Sequence, residues 1–181
     1  PTAGNHQRAT FRMTIPGSDA QYFKAQYDVR QYFPLTEDHD YSLLLRGRVG
    51  YGNGYGTTDN GSDQLLPFYE NYYAGGFSTL RGFRSNTVGP KAIYVNPGNG
   101  NNNTYVGSDD AAGGNAVALA SMELIVPTPF ASDEVRNQIR TSVFVDAGTV
   151  WDTEYDVPSS AEGKYINDYS DPSLIRASYG A

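Results

Sequence analysis

The sequence predicts an all-β fold, and three observations point to it. The chain has 15 tyrosines, 20 glycines and 10 prolines against two methionines and one tryptophan, which is typical of aromatic-rich strands joined by polar loops. Apolar and polar residues alternate with a period of two in several segments. The longest apolar run, 116–126, is interrupted by Ser121 and Glu123, whereas a helix needs about 20 apolar residues to span a bilayer. The mean hydropathy of -0.52 still permits a transmembrane antiparallel β-barrel, because only alternate strand residues face lipid.

The first third of the chain contains three predicted strands, Thr10 to Ile15, Tyr22 to Phe33 and Tyr41 to Tyr51. The second is slightly longer than the about 9 to 11 residues with which a tilted strand crosses a bilayer. Its apolar positions are Phe23, Ala25, Tyr27, Val29 and Phe33. In the third strand Arg46 and Arg48 share one face, so that face requires water or carboxylates.

A long stretch without periodicity follows, from about Glu70 to Gly114. Loops of this length are usually functional or disordered. Alternation resumes from Ala116 to Val126 and from Arg140 to Trp151, and a polar loop covers 152–172. One more strand begins at Ile175 and runs to the last residue. The sequence therefore predicts about six strands and one long loop, approximately residues 70–114.

Two architectures fit these strands. The connections after Ile15 and Phe33 are short and those after Tyr51, Phe68 and Trp151 are long, which is the asymmetry of outer-membrane barrels. In a barrel, the aromatic residues near strand ends would form interfacial girdles. They are Tyr22, Tyr27, Tyr32, Phe33, Tyr41, Tyr51 and Trp151. The same aromatics could instead fill the core of a β-sandwich, so the strand pattern leaves both folds open.

Charge and residue types exclude several functions. A net charge of -7 argues against nucleic acid as a partner, because phosphate binding needs clustered Lys and Arg. The segment 59–63 is rich in oxygen ligands but lacks the final Glu of a calcium loop, so a turn is expected there. We find no combination of nucleophile, base and orienting residue, and therefore expect neither an enzyme nor a metal or other cofactor. The first residues do not form a signal peptide, so a mature or excised segment is expected.

The long loop carries an ordered series of motifs. They are Pro67-Phe68-Tyr69-Glu70-Asn71-Tyr72-Tyr73-Ala74-Gly75-Gly76, then Leu80-Arg81-Gly82-Phe83, then Thr87-Val88-Gly89-Pro90-Lys91. In this order they resemble the sixth extracellular loop of BamA-type outer-membrane protein assembly factors. The resemblance continues to 168–173 and covers essentially the whole chain. Leu80 stands where the family usually has Val, and 96–105 lacks a cysteine pair that some relatives carry.

The resemblance implies one part of a 16-stranded barrel whose loop folds into the lumen, so that Arg81 meets acidic residues of the inner wall. It implies folding and insertion of nascent β-barrel proteins in the outer membrane of a Gram-negative bacterium. The implied partners are those client proteins, accessory assembly lipoproteins and membrane lipid. The first and last barrel strands, where the family's barrel opens, and the POTRA domains are expected to lie outside this chain.

The residues themselves support such a contact. Glu123 and Asp146 are the only acidic residues of their two predicted strands, and each falls on the more polar face. A buried carboxylate needs a partner, and Arg81 can offer five donors to both acids. Phe83 would then be an apolar anchor, and Gly82 would supply backbone freedom or close approach to the wall. The alternative is that Arg81 is a solvated loop residue and the two acids line a wet lumen.

Three other functions remain open at this point. A protein-secretion barrel of the same superfamily, of the two-partner secretion or TamA-like type, would share the Arg-Gly-Phe loop. A passive porin would explain the strands and loops, but it gives no reason for the motif or for the two wall acids. A soluble β-sandwich binding module is the most distant alternative.

Overall fold

The computed structural model describes residues 3–38, 40–98, 103–128, 141–155, 161–162 and 171–181, and the backbone alone for 161–162. Its main sheet has six antiparallel strands in the order β1-β2-β3-β6-β7-β9. A smaller sheet has the order β4-β5-β8. The strands are β1 (Gly4–Met13), β2 (Tyr22–Pro34), β3 (Ser42–Gly54), β4 (Lys91–Asn96), β5 (Thr104–Ala111), β6 (Ala116–Val126), β7 (Thr141–Trp151), β8 (Ala161–Glu162) and β9 (Arg176–Gly180).

The predicted all-β class is confirmed, and most strand limits agree. Strands β2, β3, β6, β7 and β9 match the predicted segments to within three residues at each end. Position 140, where one predicted strand begins, lies outside the described residues. No helix in the described part of the chain is long and apolar enough to cross a membrane.

The first strand differs from its prediction. It begins at Gly4, well before Thr10, and ends at Met13, two residues before Ile15. All ten of its residues are exposed, and it is held by backbone pairing with β2 from Gly4↔Tyr32 to Met13↔Phe23. Backbone pairing of an edge strand requires no apolar alternation, so its first half leaves no signal in the sequence.

The main sheet has two chemically different faces. The cross-strand register places even-numbered residues of β1–β3, β7 and β9 and odd-numbered residues of β6 on one side, which we call the loop-bearing face. Every charged side chain of these six strands lies there, including Arg46, Glu123 and Asp146. The opposite face, which we call the bare face, carries no charged residue within the same strands. Such segregation suits a wall between an apolar and a polar medium.

The strands are long enough to cross a bilayer. Strands β2 and β3 have 13 residues each, and β6 and β7 have 11 each. A tilted strand needs about 9 to 11 residues to cross a bilayer. Aromatic side chains lie toward the ends of the bare face, where Phe23 and Tyr51 have ring centroids 6.0 Å apart. Tyr22 and Tyr32 are exceptions to the predicted girdle, because both lie on the loop-bearing face, where Tyr22 is buried.

The segment that connects β3 to β6, residues 55–115, contains the long loop predicted at approximately 70–114. The sequence predicted no regular structure from about Glu70 to Gly114, yet β4 and β5 pair there, from Lys91↔Ala111 to Asn96↔Thr104. These strands are too short to show a clear period, and they carry their few β-branched and aromatic residues in single clusters. The short β1–β2 connection lies at the same end of the main sheet as the long loop, because successive strands reverse direction. Short and long connections therefore do not separate strictly by end.

Candidate functional site

A tight turn in the long loop presents Leu80 and Arg81 to the sheet. Gly75 and Gly76 adopt φ angles of 109° and 89°, which glycine reaches without steric cost. The Gly76 N–H donates to the Phe83 carbonyl at 2.9 Å, and the Leu80 N–H donates to the Gly76 carbonyl at 3.1 Å. The Thr79 hydroxyl donates to the Gly75 carbonyl at 2.8 Å. These bonds fix the direction in which the next residue leaves the turn.

Arg81 makes its strongest contacts with Asp146 on β7. Its Nε and Nη2 donate to the two carboxylate oxygens, each at 2.8 Å, and its backbone N–H donates to Oδ2 at 3.0 Å. Arg81 is 9% exposed and Asp146 is 1% exposed, so the pair is shielded from solvent. A two-pronged pairing of this kind constrains orientation as well as distance.

The second acid, Glu123 on β6, completes the site. Arg81 Nη1 donates to Glu123 Oε2 at 2.7 Å, and Nη2 donates to the Ser121 hydroxyl at 3.1 Å. Arg46 on β3 reaches the same oxygen of Glu123 at 3.3 Å. The structure thus brings Arg81, Glu123 and Asp146 together, and it adds a second arginine that balances the two carboxylates.

An aromatic ring covers the guanidinium of Arg81, and a hydroxyl binds its backbone carbonyl. Arg81 Cζ lies 3.6 Å from the centroid of the Phe144 ring, a cation–π arrangement. The hydroxyl of Ser178 on β9 donates to the Arg81 carbonyl. The hydrogen bonds to Asp146, together with those to Glu123, raise the pKa of Arg81 above its ordinary value, so the side chain stays charged. All donors of the guanidinium that face the wall therefore have acceptors.

The rest of the motif packs around this charge. Leu80 is fully buried in an apolar cluster between loop and sheet. The cluster contains Tyr72, Ala74, Leu80, Val88, Val117 and Val150, with Phe83 and Leu119 packed against it. Gly82 has a φ of 84°, and a Cβ built on it would lie 3.0 Å from Ser178 Cβ. Glycine is required at this position by both backbone conformation and proximity to β9.

Three contributors, Ser121, Phe144 and Ser178, were not singled out from the sequence, and for Arg46 the acidic partner was not identified. Ser121 and Phe144 lie two residues from Glu123 and Asp146 on the same strands, so period-two geometry placed them on the same face. Arg46 was noted as facing a polar side, but its partner depended on the β3–β6 register. The position of Ser178 beside Arg81 follows from the pairing of β7 with β9. The sequence gives no signal for that pairing.

The other sequence candidates form no site. Residues 57–63 make a compact turn in which Thr58 and Ser62 exchange hydrogen bonds. Among the described residues, no group of three or more His, Asp or Glu side chains is arranged to hold a metal ion.

A sheet that is charged on one face only, with a loop arginine fastened among acids on that face, defines the wall of a membrane-spanning β-barrel whose loop folds inward. The chain belongs to the Omp85 superfamily, whose domain model matches residues 1–181. The resemblance noted in the motifs is thereby confirmed at the level of the family.

Several characterised proteins are similar to this chain. The outer membrane protein assembly factor BamA of Neisseria meningitidis is 39% identical over 165 residues, which is 90% of this chain and 18% of that protein. A SAM50-like protein of Schizosaccharomyces pombe is 25% identical over 152 residues, 82% of this chain and 27% of that protein. The mouse sorting and assembly machinery component 50 homolog is 25% identical over 167 residues, which is 91% of this chain and 30% of that protein.

A solved structure is also similar over almost the whole chain. BamA from Haemophilus ducreyi lacking POTRA domains 1-3 matches with a TM-score of 0.83 and 38% identity, covering 99% of this chain and 32% of that one. This match confirms the predicted β-barrel class, although the six strands described here form an open sheet and not a closed barrel. Together with the family, the two bacterial relatives confirm the expected location in the outer membrane of a Gram-negative bacterium. The chain spans less than a third of the length of each of these relatives.

Proposed function

We propose that the protein containing this chain folds nascent β-barrel proteins and inserts them into the outer membrane, and that this chain supplies the wall segment that fastens the inward loop. The observation that carries the proposal is the attachment of Arg81 to Asp146 and Glu123 in a member of the Omp85 superfamily. The printed names of the relatives, an assembly factor and two sorting-machinery homologues, support the same function.

In this function Leu80, Arg81, Gly82 and Phe83 form a locking motif, with Glu123 and Asp146 as its partners in the lumen wall. Unpaired strand edges cost several kcal/mol per backbone group in lipid, so an assembly factor must lower that barrier. A barrel of defined shape can do so by offering a strand edge as a template. A fastened loop supports this by holding the wall in one conformation. No chemical step is required, so we propose a non-enzymatic role without a cofactor.

The partners follow from this proposal. They are unfolded outer-membrane β-barrel proteins as clients, accessory assembly lipoproteins bound through other parts of the protein, and membrane lipid against the bare face of the sheet. The absence of charge from the bare face is the observation that supports lipid contact.

The test uses the whole protein reconstituted in liposomes. Urea-unfolded client barrel protein is added, and its folding is followed by gel mobility with and without heating. We expect faster client folding than with empty liposomes, and several-fold slower folding with Arg81→Ala. Arg8→Ala is the control, because Arg8 is an exposed arginine of β1 that lies on the loop-bearing face.

Two results would contradict the proposal. The first is client folding no faster than with empty liposomes. The second is passage of an unfolded polypeptide into the liposome interior without its insertion in the membrane, which would instead favour a protein-secretion barrel. Open conductance without either activity would point to a porin.

A further inference from the structure

Glu70 lies in the long loop and contacts residues of β1 and β2, whereas Arg81 contacts β6 and β7. A single turn of 3-10 helix, Phe68–Glu70, ends at this residue. The Glu70 N–H donates to the Pro67 carbonyl at 2.8 Å, which directs the side chain toward β1 and β2. Its carboxylate is mostly buried, with 17% of the side chain exposed.

Three side chains of the wall bind this carboxylate. Arg12 Nη1 donates to both oxygens, at 3.0 Å and 3.1 Å, and Lys24 Nζ lies 3.6 Å from Oε2. The Tyr22 hydroxyl donates to Oε1 at 3.1 Å. Lys24 also donates to the Glu70 backbone carbonyl. Burial with this many donors is the pattern of a carboxylate held in place and not of a solvated one.

The wall has a reason to need an acid at this point. Arg12 and Lys24 are directly opposite one another in the β1–β2 register. Like charges at directly opposed positions destabilise a sheet, and Glu70 lies against both. On β6 and β7 the situation is reversed, because Glu123 and Asp146 receive the cation of Arg81. In these two attachments the loop therefore supplies one charge of each sign, and each meets its opposite on different strands of the sheet.

Tyr72 strengthens the contact at Glu70. Its hydroxyl donates to the Ala25 carbonyl at 2.9 Å, and Lys24 Nζ lies 4.2 Å from its ring centroid. The ring occupies the space above Gly50, where an added Cβ would come within 2.6 Å of it. Burial raises the pKa of Tyr72 to about 12, so the hydroxyl remains a donor.

We infer that Glu70 is a positioning residue which fastens the loop to β1 and β2 independently of the Arg81 lock. In the described part of the chain, no ion-pair partner is shared between the two attachments. Because their charges are opposite, the loop can satisfy both only in one orientation across the sheet. The importance of this placement for assembly rests on the proposed function, whereas the placement itself does not.

The experiment measures the mobility of two spin labels in the whole purified protein with other cysteines removed. One label replaces Tyr69, which is exposed beside Glu70, and the other replaces Phe77, which is exposed in the turn that presents Arg81. In Glu70→Gln we expect the mobile fraction at 69 to rise about threefold to tenfold, since a charge-assisted bond weakens to a neutral one, with little change at 77. Arg81→Ala should mobilise 77 more than 69. Glu37→Gln, in the β2–β3 turn, is the matched control.

A charge reversal tests whether electrostatics or packing is responsible. Glu70→Lys alone should mobilise 69 strongly, and combining it with Arg12→Glu and Lys24→Glu should restore most of the order. The inference is overturned if Glu70→Gln behaves like Glu37→Gln at position 69, or if it mobilises both labels equally. The mobility of the two labels tests the role of Glu70, and the client-folding assay tests the proposed assembly function. Failure of the Glu70 inference can therefore be told apart from failure of the proposed function.

Discussion

At the scale of single residues, the Arg81 site works because each charge meets more than one partner. Removing a guanidinium from water is costly, and a single carboxylate seldom offsets that cost. Here two carboxylates, a serine hydroxyl and an aromatic ring surround it. Asp146 also accepts a hydrogen bond from the backbone N–H of Arg81, so it positions the backbone of the loop as well as the arginine side chain.

We predict that Arg81→Ala lowers the stability of the whole barrel by about 3 kcal/mol, because it leaves Asp146 buried without a cation. Arg81→Lys should recover only part of this, since an ammonium cannot pair with Asp146 in a two-pronged way. The measurement is the temperature at which the folded band disappears in semi-native gels. Equal heat resistance of Arg81→Ala and wild type, with Arg8→Ala as control, would show that the pair contributes nothing.

A second prediction concerns Gly50. Gly50→Ala places a methyl group within 2.6 Å of the Tyr72 ring. We therefore expect the free energy of unfolding to fall by about 1 to 3 kcal/mol through overpacking. The same substitution should be nearly neutral in a Tyr72→Ala background, where the space is empty. Unfolding of the four proteins of this double-mutant cycle measures the coupling, and a coupling near zero would mean that the ring lies elsewhere.

Much of the site could be predicted from the sequence, and the remainder has a physical explanation. Arg81 was identified through the motif resemblance, which implied its contact with acidic residues of the wall, and Glu123 and Asp146 stood out as the only acidic residues of their two predicted strands. Phe144 and Ser178 were not identified, because a ring on a strand is ordinarily read as core and a serine carries no charge. Their roles follow from strand register, which short-range pattern does not determine.

At the scale of elements, the strands show where the alternation of apolar and polar residues is enough to predict a strand and its limits. Strand β2 alternates cleanly, and its limits were predicted to within one residue. Strand β1 was predicted only in its second half, because residues 4–8 are Gly, Asn, His, Gln and Arg and show no apolar alternation. Strands β4 and β5 were missed, since six and eight residues give too few periods to read.

We predict that β2 crosses the membrane with its bare face toward lipid. Spin labels at Ala25 and Tyr27 should be accessible to oxygen in the bilayer, and labels at Gln26 and Asp28 should be accessible to a water-soluble nickel reagent. The register supports this, because Asp28 lies beside Arg48 on the loop-bearing face at 2.6 Å. The opposite accessibility pattern would mean that the faces have been exchanged.

At the scale of the whole molecule, the sheet presents two problems for a chain alone in water. Strands β1 and β9 form its edges, and the bare face exposes many large apolar side chains. Both features invite association.

We therefore predict that the 181-residue fragment does not fold as a soluble monomer in aqueous buffer. Unpaired edges and an uncovered apolar face should lead to aggregation, whereas detergent micelles should increase its strand content. Circular dichroism and light scattering with and without detergent are the measurements. A sharp cooperative melt of a detergent-free monomer would argue against both this prediction and the membrane orientation.

The smaller sheet joins two stretches of chain that are distant in sequence. Strand β5 belongs to the long loop, and β8 belongs to the connection between β7 and β9, yet they pair in parallel at Tyr105↔Ala161 and Val106↔Glu162. An antibody raised against this end of the folded protein would thus meet a composite epitope. A linear peptide of residues 104–111 should bind such an antibody poorly, and sequence changes near 161 should alter recognition of residues near 105.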